Sequence, residues 1–210
     1  MVEDALHEVL GDPVPQRLVR IRPLMRMLKR AYAVDGPPML AQSMMDRLSH
    51  DGRHAFHIGT GDPTMRRIAS WVLSLDPNQP DRLEEVLVHL WRRNGREDVR
   101  LVGLILANMD PVRASRSAWA TLARIIGPSE PVEVLLEVVE ECVRAGHEPP
   151  ADAALLDLID GRPITEHLVL LIACVRGSGA GPAVRSIIEA APAGGDLLER
   201  MRDRVLAASD

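Results

Sequence analysis

The sequence predicts an all-α fold built from helix pairs stacked on one another, and three observations carry that prediction. Apolar residues recur at helical spacing rather than alternating as strand residues do. Prolines fall roughly every 13 to 30 residues, each suited to a first helical turn, where its missing N–H has no intrahelical partner to lose. The stretch Leu101 to Met109 is apolar nearly all round, as expected of a helix in the middle of an array.

The elements follow in order. Ile21, Leu24, Met25, Leu28 and Tyr32 form the first strong helical pattern, and Pro23 is expected to split it. Met44, Met45 and Leu48 suggest a further helix, and Pro63 opens the next. Leu83, Val86, Leu87, Leu90 and Trp91 share one face after Pro80, and Val134, Leu135, Val138, Val139, Cys142 and Val143 share another after Pro128 or Pro131. Leu155, Leu156, Leu158 and Ile159 follow Pro150, Ile187 and Ile188 follow Pro182, and Leu197, Leu198, Met201, Val205 and Leu206 follow Gly194-Gly195. Grouped as pairs of roughly 35 to 45 residues, these make a HEAT-like helical-repeat solenoid of roughly ten to twelve short helices. It is expected to form a single domain over residues 1–210. A compact irregular helical domain is the alternative, since no strict repeat is visible.

Composition fits a chain with a continuous core, at 46% hydrophobic residues over 210. No apolar run reaches the length of about 18 residues needed for a membrane span. Met1 to Leu10 carries Glu3, Asp4 and Glu8 rather than a basic leader, so a cytoplasmic location without membrane contact is expected. Cys142 and Cys174 sit inside apolar helical patterns and read as core thiols, not as a disulfide framework. Charge is uneven: residues 1–126 are mildly basic at +3, whereas residues 127–210 are acidic at −8. The acidic half is a candidate surface for a protein partner.

Two motifs carry a family resemblance. The run His57-Ile58-Gly59-Thr60-Gly61-Asp62-Pro63-Thr64-Met65-Arg66-Arg67 resembles the Gly-x-x-x-Pro-x-x-Arg turn and helix of the bacterial HEAT-like DNA alkylation repair glycosylases, the AlkD family. Leu90-Trp91 through Arg100 resembles that family's Leu-Trp, short turn and Glu-x-x-Arg entry into an apolar helix, at similar spacing. The resemblance is limited to about residues 44–109. It implies removal of a cationic alkylated base from duplex or damaged DNA, with tryptophans on the lesion and an Asp stabilising the developing positive sugar. The family's acid follows a tryptophan in the region after the motifs, where this chain offers Ser117-Ala118-Trp119-Ala120-Thr121 and no acid. Asp110 and Glu130 flank that segment and read as turn or capping residues. No catalytic residue is assigned, and the expected function is DNA binding without base excision.

The candidate nucleic-acid-binding residues are Arg66, Arg67, Arg92, Arg93, Arg96, Arg113 and Arg116, with Trp119 as the one aromatic facing a groove. In a solenoid, cations at matching helix positions line one face and can track phosphates. Arg22, Arg26, Lys29 and Arg30 would share a side only if the first helix ran unbroken. Trp71 and Trp91 lie on apolar faces and read as core. His50, His54 and His57 lack the fixed helix and fourth ligand of a metal site, and Gly177 to Gly181 lacks the Lys of a phosphate loop, so neither metal nor cofactor is expected. The alternative function is a HEAT-like protein-interaction scaffold without DNA contact. An intact glycosylase using another carboxylate is a third reading.

Overall fold

The computed structural model describes residues 4–12, 20–35, 54–75, 80–110, 114, 116–128 and 130–208. Among these the chain is all-α. Its helices are α1 (Ala5–Leu10), α2 (Ile21–Tyr32), α3 (Asp62–Ser74), α4 (Pro80–Arg93), α5 (Arg96–Ala107), α6 (Ala118–Ile125), α7 (Val132–Arg144), α8 (Asp152–Leu156), α9 (Pro163–Arg176), α10 (Pro182–Ala190) and α11 (Asp196–Ala207). The contacts gather the chain into two compact units, Met1–Ser115 and Arg116–Asp210.

In the first unit α5 is the central element, packed against both α3 and α4, while α2 lies against α1, α3 and α4. Residues Leu101 to Ala107 are buried on every side, which accounts for their unbroken apolar run. In the second unit α9 takes the same role, touching α7, α10 and α11, with Leu168 to Ala173 buried throughout. Pro63, Pro163 and Pro182 stand at the first or second position of their helices.

The first helix departs from expectation. Pro23 does not split it, because α2 starts at Ile21 and places Pro23 in the first turn, where the proline nitrogen has no hydrogen bond to forgo. Cys142 and Cys174 are buried free thiols, and burial pushes the Cys142 thiol up to about 12. No helix among the described residues is long and apolar enough to cross a membrane.

Candidate nucleic-acid interface

The two motifs of the first unit meet in a network of buried polar contacts. Asn94, at φ 51°, and Gly95 turn the chain from α4 into α5, an αL position that Asn tolerates better than most residues. The turn lies edge-on to residues 55–56, with Ala55 N donating to Asn94 O at 2.7 Å and Arg96 N to Phe56 O at 2.9 Å. From the first turn of α5, Glu97 Oε1 accepts the Ile58 and Gly59 amides at 2.9 and 2.8 Å. Arg100 reaches Asp62, which also accepts from Arg66 Nε at 2.9 Å. The Glu-x-x-Arg element therefore ties the Gly-Thr-Gly-Asp-Pro turn to α5.

A second knot holds α2. Asp98 is wholly buried and accepts from Tyr32 OH at 3.0 Å, from Arg93 Nε at 2.6 Å and from Arg93 Nη2. Arg93 Nη1 also donates to Met25 O at 2.6 Å. Burial alone would lower the Arg93 guanidinium, but its bonds to Asp98 outweigh that and raise it. Burial and the neighbouring Asp98 push the Tyr32 phenol well above its usual range, so it serves as a donor. Thr60 Oγ1 completes the knot by donating to Tyr32 O at 2.9 Å.

These geometries sort the candidate residues. Arg93 is a structural clamp, with Nε and Nη2 donating to Asp98 and Nη1 to a backbone carbonyl. Arg96 Nη1 donates to His57 Nε2 at 2.8 Å. Arg66 and Arg67 are exposed and paired with Asp62 and Asp4, pairs weak enough to exchange for another anion. Their partners feel them: hydrogen bonding to Arg66 and Arg67 holds the Asp62 and Asp4 carboxyls below the usual range. Arg92 is exposed on α4 and Arg116 is exposed in the second unit, while Arg113 lies outside the described residues.

Trp119 does not face a groove. It is 4% exposed and its Nε1–H donates to Glu148 O at 3.0 Å, so the ring belongs to the core of the second unit. Glu130 Oε1 accepts the Gly127 amide at 3.0 Å, the turn role expected for it. The Gly177 to Gly181 segment links two helices: Gly177 ends α9 in the left-handed region, and Gly181 N donates to Asp152 Oδ2 at 2.7 Å. No group of three metal-ligating side chains occurs among the described residues; of the weighed histidines, His50 lies outside them.

Among the described residues, the cations of α2 carry few internal duties. Arg22, Arg26, Lys29 and Arg30 are exposed, the helix contains no acidic residue, and none of the four forms an ion pair among the described residues. Because Leu24, Leu28, Ala31 and Tyr32 bury the opposite face, the spacing of the four cations sets them along one solvent-facing stripe about 12 Å long at 1.5 Å per residue. Lys29 Nζ also stands 5.2 Å above the Phe56 ring. The stripe exists because Pro23 sits in the first helical turn. Compared with models of known families, with curated proteins and with solved structures, the chain matches none of them.

Proposed function

We propose that this chain is a nucleic-acid-binding relative of the HEAT-like DNA alkylation repair proteins that contacts duplex phosphates and does not excise bases. The observation that carries the reading is the α2 stripe of Arg22, Arg26, Lys29 and Arg30, four exposed cations on a helix without a single carboxylate. Exposed cations on a rigid, well-packed helix neutralise phosphates by releasing counterions, which is the largest sequence-independent part of DNA affinity. Exposed Arg92 and the exchangeable Arg66 and Arg67 lie in the same unit and add cations to it.

The absence of excision is supported by the aromatics. The chain has three Trp, one Tyr and one Phe, and Tyr32, Phe56, Trp71, Trp91 and Trp119 are all buried to 8% exposure or less. None is available to stack on an extruded base, and the segment around Trp119 brings no acid to an oxocarbenium-like centre. Fluorescence anisotropy with a labelled duplex, intact and alkylated, tests this: the expected result is equal affinity for the two and no base release. Several-fold tighter binding of the alkylated duplex, or release of the alkylated base, would return the protein to the glycosylases.

The second reading, a HEAT-like protein-interaction scaffold, is favoured by one specific observation. Arg66, Arg67, Arg93 and Arg100 already meet carboxylates within the first unit, which thins the cationic track. The acidic half, −8 over residues 127–210, would then supply the partner surface. Absence of DNA binding at low salt selects this reading.

A further inference from the structure

Hydrogen-bond arithmetic at His57 allows one arrangement at a time. A guanidinium N–H can only donate, so the 2.8 Å contact from Arg96 Nη1 requires His57 Nε2 to be an acceptor and puts the ring proton on Nδ1. The imidazole is 3% exposed, and its Nδ1 has no hydrogen-bond partner among the described residues. Glu97 Oε1 stands 3.8 Å from the same Nε2 while accepting the Ile58 and Gly59 amides, and Glu97 Oε2 is buried with no hydrogen-bond partner among the described residues. A second hydrogen-bonding arrangement is therefore within reach of a small ring movement.

We propose that His57 is a proton-operated latch on the turn of residues 56–61. Neutral, it accepts Arg96 and leaves Glu97 to hold the Ile58 and Gly59 amides. When a solvent proton adds to Nε2, donor faces donor, the Arg96 hydrogen bond breaks, and Nε2–H bonds instead to Glu97 Oε1, drawing that carboxylate away from the two amides. Arg96 and Glu97 of α5 are the charged groups acting on the ring. Around them, Lys29 of α2 and Arg93 of α4 face the adjacent Phe56 ring, and Asp98 is engaged by Arg93. Burial holds the imidazole below its ordinary value of 6.5, Glu97 opposes that, and Arg96 adds to it. The turn also bonds the end of α2 through Thr60 Oγ1 and Tyr32 O, so the latch bears on the seat of that helix whatever α2 binds.

The test is an NMR titration of the full chain from pH 8 to 5, following the His57 imidazole and the Ile58 and Gly59 amides. The expected result is one shared step with a midpoint below 6.5, absent from His57→Gln, whose amide oxygen can accept Arg96 but cannot titrate. Arg96→Ala should move the His57 midpoint upward, and this variant keeps the test decisive if His57→Gln fails to fold. Amides that ignore the imidazole, a midpoint at or above 6.5, a step that persists in His57→Gln, or an unmoved midpoint in Arg96→Ala would each overturn the latch.

Discussion

Removing the Asp98 carboxylate should unseat α2 and α4 together, and the cost can be worked from its contacts. Asp98→Ala leaves the Arg93 guanidinium with Met25 O as its remaining hydrogen-bond acceptor and strips the buried Tyr32 hydroxyl of its acceptor. Breaking one side of a buried ion pair costs about 3–5 kcal/mol. The Arg93 side chain is 23% exposed, so water recovers part of that and the value belongs near the lower end. The orphaned phenol, worth about 1–3 kcal/mol on its own, keeps the total from falling far below it. A loss of about 3–4 kcal/mol results, or roughly 1.5–2 M in the urea midpoint at an m value of about 2 kcal/mol/M. Urea unfolding followed by fluorescence reads this, in a Trp119→Phe background so that Trp71 and Trp91 of the first unit supply the signal. The double variant Arg93→Met, Asp98→Leu should recover part of the loss, because no buried charge is then left alone although the Tyr32 hydroxyl still lacks its acceptor. A midpoint shift under about 0.5 M for Asp98→Ala, on the same m value, would refute the clamp.

Three further outcomes are expected. Gly95→Ala should destabilise the first unit by about 1–3 kcal/mol, seen by the same urea assay, because the added Cβ runs into the Phe56 ring although the backbone angle itself suits alanine. Arg162→Ala should lower the melting transition of the second unit, followed by Trp119 fluorescence, by roughly 5 °C for each kcal/mol lost, since Arg162 donates to Ile126 O at 2.7 Å and Ala123 O at 2.6 Å at the end of α6. For His57, whose native value is lowered, the unfolded chain binds the proton first as pH falls. The stability of the first unit should therefore drop below pH 6.5 and level off beneath the native value, and His57→Gln should remove that part of the slope in urea titrations across pH.

The helices were legible where a local rule decides them. Pro63 and Pro182 mark first turns, and the apolar run that opens at Leu101 is the central helix of the first unit, because a helix enclosed on all sides has no polar face to show. Pro23 misled because the same residue breaks a helix interior and suits a first turn, and only the position of the first hydrogen bond separates the two cases. The contacts of Arg67 and the second anchor of Arg93 were not legible, since those partners are distant in sequence: Asp4 for Arg67 is 63 residues away, and Met25 O for Arg93 is 68. Trp119 misled for a local reason. Its polar neighbour Ser117 is the N-cap of α6 and accepts the Ala120 amide at 3.2 Å, so it marks a helix start and not an open face.

The most direct measurement of the nucleic-acid reading is the salt dependence of duplex affinity for the wild-type chain and for a variant with Arg22, Arg26, Lys29 and Arg30 all changed to Ala. Four neutralised phosphates give a slope of log Kobs against log salt of about −3.6, steeper where Arg92, Arg66 or Arg67 join in. The account predicts that the variant loses about that much of the slope while its helical circular dichroism is unchanged. An unaltered slope, or no binding by the wild-type chain even at low salt, would contradict it.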